Sequence, residues 1–291
     1  MGACLHDARE REVKLITELE PATQSLYVLG CRVDNVDASQ AAARIAQLMR
    51  AGKPAHVVTL GAEMAVLASK DARYREALNS ADLIVPDTVG VVFASRLLGR
   101  PVPQRVAGIE LAERTIARCA RRRIPIYLLG AADGIAAKAG VELAARFPGL
   151  RIAGTHHGYF IPDEEADVAR AIRNSAAPLV FVGMGFPQQE LFIARNLDRI
   201  GSAVCIGVGG SFDIWSGRLH RAPDAVRKAG MEWFYRLVRE PHRLKRQLAL
   251  PRFVAQVTAQ ALRQRIGAMR KNADAQRSRD ELQQPQHISK P

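Results

Sequence analysis

Beyond residue 24 the chain alternates short, continuously apolar runs with Ala-rich stretches whose apolar positions recur at helical spacing. HVVTL (His56–Leu60), ADLIVP (Ala81–Pro86), IPIYLLG (Ile124–Gly130), APLVFVGMG (Ala177–Gly185) and AVCIGVGG (Ala203–Gly210) read as strands. AEMAVLASK and VGVVFASRLLG, which follow the first two, read as helices. A strand that is apolar along its whole length is one buried on both faces. The pattern therefore predicts an α/β fold, a parallel sheet with helices on both faces. Residues 25–213 are expected to form this core, and the polar, mixed-charge residues 1–24 a loose leader.

In such sheets the ligand crevice lies beyond the carboxyl ends of the strands. The residues at those ends are Thr59 and Gly61, Asp87 and Thr88, Gly130, Gly185 to Glu190, and Gly207 to Asp213. All five groups are expected to converge on one edge.

Charge divides the chain differently. Residues 214–271 carry 14 Lys or Arg against 3 Asp or Glu, which accounts for most of the formal net charge of +13. This segment reads as a basic helical appendage. Arg236, Arg239, Arg243 and Arg246 recur at intervals that stack them on one helix face, with Pro241 as a kink or break. After Pro251, Phe253, Val257, Leu262 and Ile266 lie among basic residues, as in a helix resting on a membrane surface. Residues 272–291 turn polar and Gln-rich and are expected to be disordered.

A cationic surface attracts phosphates, whether in nucleic acid, anionic lipid or a nucleotide. Aromatic residues make up only 5% and do not interleave with the basic ones, which disfavours a single-strand binding platform. Cys4, Cys31, Cys119 and Cys205 are scattered, without CxxC or zinc-ligand spacing, as expected of reduced thiols. The N-terminal MGACLHDAREREVK lacks a signal-peptide core, and His6 stands where a myristoylation motif has Ser or Thr. No apolar run reaches the roughly 18–20 residues that span a bilayer, so any membrane contact is expected to be peripheral.

Asp87 directly follows a strand, where a carboxylate serves as a general base or holds a hydroxyl. Position alone favours the simpler role of helix N-cap. Gly207-Val-Gly-Gly-Ser-Phe-Asp213 lets a backbone approach a diphosphate or nucleoside, or merely makes a tight turn. Gln188, Gln189 and Glu190 suit a sugar or nucleotide, or an exposed first helical turn. His156 and His157 titrate near neutrality, but no partner carboxylate accompanies them. Guanidinium groups match phosphate oxygens in pairs, and no acidic DxD spacing is present for a divalent metal. Metal-free diphosphate binding by the arginines is the inference, against the alternative of a solvated face.

The segments VVTLGAEM, LNSADLIVPDTVGVVFASRLLG, RVAGIEL, GTHHGYF, GMGFPQQE, GVGGSFDIWSGRLHRAPDAVRKAGMEWFYRLVREPHRLKR and PRF run in order from Val57 to Phe253. Together they resemble the WecG/TagA/CpsF family of bacterial glycosyltransferases. The resemblance implies a Rossmann-like core and an appendage that reaches the membrane and completes the active site. It implies inverting, metal-independent transfer, without a cofactor, from a UDP-sugar of N-acetylmannosamine, uronate or glucose type. The acceptor is a polyprenyl-diphosphate-linked sugar at the cytoplasmic face of the membrane, in surface or exopolysaccharide synthesis. By motif, Asp87 becomes the base, and Thr59 and Gln189 line the pocket. Gly209, Gly210 and Asp213 lie by the nucleotide, and Arg236, Arg243 and Arg246 hold the diphosphate.

Two positions depart from the family pattern. Gly61 stands where Asn is usual, and Thr88 where Gly follows the Asp; altered sugar specificity is the expected consequence, with impaired catalysis as the alternative. Rival readings are a basic nucleic-acid-binding module and a nicotinamide-dependent oxidoreductase, the latter lacking its dinucleotide fingerprint. Nucleic acid is not the expected partner, and self-association stays open. A chain ending near Ser216 is expected to fold but to be inactive.

Overall fold

The computed structural model describes residues 25–223, 226, 235 and 249–283, with residues 271–283 described as backbone alone. The leader up to residue 24 and the face formed by Arg236, Arg239, Arg243 and Arg246 lie outside the described residues.

Six parallel strands form the predicted sheet. They are β3 (Ala55–Leu60), β4 (Leu83–Pro86), β5 (Pro125–Gly130), β6 (Arg151–His156), β7 (Leu179–Gly183) and β8 (Val204–Gly207), in spatial order β4-β3-β8-β7-β5-β6. A separate antiparallel pair, β1 (Leu26–Val28) and β2 (Cys31–Val33), precedes them.

Successive residues of each strand feed opposite layers. Val57, Leu83, Ile126, Leu128, Phe181 and Ile206 pack on α1 (Ala38–Ala51), α5 (Gly108–Arg122) and α6 (Ile135–Arg146). On the other face, Val58, Leu60 and Ile84 meet α2 (Ala62–Ala68), α3 (Ala72–Asn79) and α4 (Val89–Leu97). Leu129, Val180, Val182 and Cys205 there meet α7 (Glu165–Asn174) and α8 (Gln188–Ile200). Helices thus cover both faces, which is why the strands read as unbroken apolar runs.

The short α9 (Ser211–Trp215) straddles the boundary expected between residues 213 and 214, with Phe212 and Trp215 both in the core. The last helix, α10, runs from Ala249 to Gln283, beginning before Pro251 and continuing well past Lys271. Its inner face differs from the one expected to meet a bilayer. Phe253 and Val257 are buried at 1% and 0% exposure, in one cluster with residues of α2 and α4. Gln256 and Gln260 add polar ties. The Ser69 hydroxyl donates to Gln256 at 3.4 Å, while Gln260 accepts from the Leu29 N–H at 2.9 Å and donates to the Tyr27 carbonyl at 2.8 Å. Leu262, Ile266, Val254 and Met269 remain exposed. No helix among the described residues is long and apolar enough to cross a membrane.

Candidate functional site

Asp87 leaves β4 at the carboxyl edge of the sheet, its N–H bonded to the Leu60 carbonyl at the end of β3. Thr88, not Asp87, occupies the N-cap of α4. The Asp87 carboxylate instead accepts the Gly108 N–H at 2.7 Å, at the first residue of α5. It satisfies an N–H left over at a helix start, but of a helix that begins about twenty residues on in the chain. One bond thereby fixes the carboxylate against both the strand end and α5.

Thr59 adjoins that contact. A Cβ added at Gly108 would come within 3.1 Å of the Thr59 hydroxyl, so the helix start packs closely over this side chain and a larger residue there would have to displace it. The Thr59 hydroxyl donates to the Gly207 carbonyl at 3.1 Å, tying β3 to the exit of β8. Gln189 continues the chain of contacts. Its amide oxygen accepts the Gly209 N–H at 3.0 Å, and its amide nitrogen donates to Glu190 at 2.6 Å. A Cβ at Gly207 would sit only 2.6 Å from that nitrogen. Glu190 also accepts from the Tyr74 hydroxyl at 3.1 Å.

A chain of contacts therefore joins these residues. Hydrogen bonds link Asp87 to Gly108, Thr59 to Gly207, Gln189 to Gly209 and Glu190, and Glu190 to Tyr74, while Gly108 packs on Thr59 and Gly207 on Gln189. Gln189 and Glu190 are buried, at 4% and 0% exposure, rather than on an exposed first turn. Burial pushes the Glu190 carboxyl up to about 7, against the pull of its bonds from Gln189, its own backbone and Tyr74. Burial, and then Glu190, pushes the Tyr74 phenol well above its ordinary range.

Gly210 caps α9, and Asp213 on that helix pairs with Arg218 at 3.3 Å. Just beyond, Arg221 pairs with Glu110 on α5 at 2.6 Å, so the start of the appendage is held to the same helix as Asp87.

The histidines fall elsewhere. His156 ends β6, the edge strand opposite β4. Five strand spacings of about 4.8 Å separate those edges, or roughly 24 Å. The His156 and His157 rings lie 4.5 Å apart, tilted by 39°, and the His156 Nδ1 lies 2.8 Å from the His157 carbonyl. The expected convergence thus holds for the edge as a whole, while only the residues on β3, β4, β8 and the start of α8 form the linked group. A pocket of about 320 Å³ is lined by Glu142, Leu143, Ala145 and Arg146 at the end of α6 and by Trp215 of α9.

The two unusual positions touch. A Cβ at Gly61 would meet the Thr88 methyl at 3.4 Å, and the Thr88 hydroxyl accepts the Ala62 N–H at 3.2 Å. Gly61 itself is the N-cap of α2 and offers no side chain, so Thr88, at the N-cap of α4, supplies an acceptor for the first N–H of α2. Tyr74 and Glu190 were not singled out as a pair, because 116 residues separate them and only the fold makes them neighbours.

Comparison with known proteins bears on the family of the chain. The family described as "Glycosyl transferase WecG/TagA/CpsF family" matches residues 26–267. The chain is 37% identical over 205 residues to N-acetylglucosaminyldiphosphoundecaprenol N-acetyl-beta-D-mannosaminyltransferase of Bacillus spizizenii strain W23, covering 70% of this chain and 79% of that protein. The Bacillus subtilis strain 168 protein of the same name is 35% identical over 201 residues, covering 69% and 78%. Its Staphylococcus aureus strain MW2 namesake is 33% identical over 237 residues, covering 81% and 92%. With the family matched over most of its length, the chain belongs to the WecG/TagA/CpsF family of glycosyltransferases.

Proposed function

We propose that this glycosyltransferase moves an N-acetylmannosaminyl-type sugar from its UDP donor to a sugar carried on polyprenyl diphosphate, in the synthesis of a surface polysaccharide. The acceptor matching the relatives' names is N-acetylglucosaminyl-diphosphoundecaprenol. The observation that carries the reading is the Asp87 carboxylate, held at the end of β4 and linked through Gly108 and Thr59 to the Gly207–Gly209 exit.

In this mechanism Asp87 takes the proton of the acceptor hydroxyl as its oxygen attacks the anomeric carbon of the donor. The new C–O bond forms as the bond to the UDP oxygen breaks, on the opposite face, so the anomeric centre inverts. The Gly209 and Gly210 backbone and Asp213 face the nucleotide. Arg236, Arg243 and Arg246 balance the charge growing on the departing diphosphate, which leaves no step that requires a metal. Thr88 occupies space beside Asp87 that Gly61 leaves open, and this exchange tunes which sugar fits.

The enzyme works at the cytoplasmic face of the membrane. The exposed Val254, Leu262, Ile266 and Met269 of α10, interspersed with Arg263, Arg265 and Arg270, suit contact with an anionic bilayer.

The test is a panel of UDP-sugars offered with lipid-diphosphate-linked acceptors, with product mass measured in the presence of EDTA. UDP-N-acetylmannosamine should give product and Asp87→Asn should lower kcat by about 100- to 10,000-fold, the usual weight of a general base. Full activity of folded Asp87→Asn would remove Asp87 from this role. No turnover of any UDP-sugar would remove the reading itself.

A further inference from the structure

We infer that Glu190 and Tyr74 are positioning residues, which hold the Gln189 amide so that it sets the Gly207–Gly209 backbone at the donor-binding edge of the sheet. Neither side chain reaches solvent: both are at 0% exposure. A carboxylate in such a place is costly unless its oxygens are hydrogen-bonded, and each oxygen here has its own donor. Gln189 Nε2 lies 2.6 Å from Oε1, and the Tyr74 hydroxyl 3.1 Å from Oε2.

The geometry explains why an ionisable group sits there. A free glutamine amide has two orientations that swap its oxygen and nitrogen ends. The Glu190 Oε1 beside one end accepts whether the acid is ionised or carries its proton on Oε2, and so forces that end to be the nitrogen. The opposite end is then the oxygen, and it faces the Gly209 N–H at 3.0 Å. Tyr74, on α3, keeps the carboxylate turned toward Gln189. The close fit of Gly207 against the same amide, 2.6 Å from an added Cβ, means that a misplaced amide would displace the strand exit itself. The ordering runs from α3 through α8 to the loop after β8, and the buried Tyr74 and Glu190 act in it only through Gln189.

The kinetic part of this inference rests on the proposed UDP-sugar transfer; the structural part does not. The variants are Glu190→Leu, Tyr74→Phe and Glu190→Gln. The two readouts are hydrogen exchange at the Gly209 N–H and steady-state kinetics with UDP-N-acetylmannosamine. Losing one hydrogen bond's worth of restraint corresponds to about a tenfold change. Glu190→Leu should therefore exchange Gly209 about tenfold faster and raise the donor KM by about tenfold, with kcat changed by less. Tyr74→Phe should move both readouts in the same direction by a smaller factor. Glu190→Gln should restore both, because its oxygen can accept from Gln189 while its nitrogen donates to the Tyr74 oxygen.

Wild-type exchange and KM in a folded Glu190→Leu protein would overturn the inference, as would Glu190→Gln behaving like Glu190→Leu. If Glu190→Leu does not fold, Tyr74→Phe decides by the same criteria. If the wild type turns over no UDP-sugar, the exchange comparison still decides the positioning role, and only the functional reading falls.

Discussion

Two buried ionisable groups set opposing pH limits on stability. His56 lies on β3 with neither ring nitrogen hydrogen-bonded among the described residues, and burial pushes its pKa down to about 3. The unfolded chain binds this proton near pH 6.5 and the folded one does not, so stability falls as pH drops from about 6.5 toward 3. The shift corresponds to about 5 kcal/mol at the acid end. Glu190 behaves oppositely: the folded state keeps its proton up to about pH 7, while the unfolded chain releases it near 4.5. Its contribution is present below pH 4.5 and is lost as pH rises toward 7, by about 3 kcal/mol. Denaturant melts across pH 4 to 8 should show His56→Leu flattening the acid side and Glu190→Gln flattening the neutral side. Parallel curves for variant and wild type would contradict the assignment. The buried thiols of Cys31, Cys119 and Cys205 are pushed up to about 12, 11 and 12, and stay protonated throughout this range.

At the scale of elements, α10 presents two faces whose roles separate by mutation. Phe253 fills a gap between α2 and α4, so Phe253→Ala should cost about 3–5 kcal/mol in a denaturant melt. Leu262→Ser with Ile266→Ser, on the exposed face, should change stability by about 0.5 kcal/mol or less per site while weakening sedimentation with anionic vesicles. The periodicity after Pro251 revealed an amphipathic helix, but an apolar stripe does not specify whether it faces lipid or its own protein. The central strands were legible because burial on both faces leaves them almost wholly apolar, with His56 and Thr59 of β3 as exceptions. The edge strand β6, RIAGTH, is only partly covered and has a mixed composition, so it carries no such signal. The β1–β2 hairpin was hidden for another reason. Its turn has Leu29 and Gly30 both at positive φ, 51° and 84°, where Asn-Gly would be the usual cue. The same distinction applies to the site. The motif positions Thr59, Asp87 and Gln189 were readable at strand ends, whereas the Asp87–Gly108 and Tyr74–Glu190 bonds join distant segments and have no local signature.

For the whole molecule, the appendage is more than an addition to a finished core. The last helix contributes Phe253, Val257 and Ala261 to the buried interior and clasps the first hairpin through Gln260. A chain ending at Ser216 should therefore lose stability as well as activity, contrary to the simple expectation of an intact but inactive core. Thermal melts of that fragment beside the full chain test this, and an unchanged Tm would refute it.

The strand order has a consequence for how the protein is made. β8 is the last strand of the sheet in the chain, yet it lies between β3 and β7. Until the ribosome has released it, β4-β3 and β7-β5-β6 are separate pieces, each with an open edge that can pair with another chain. Thr59 gains its Gly207 partner, and Gln189 its Gly209 partner, only when that gap closes. An incomplete nascent chain thus has neither a continuous sheet nor an assembled candidate site, and both arrive together as the final strand zips into place.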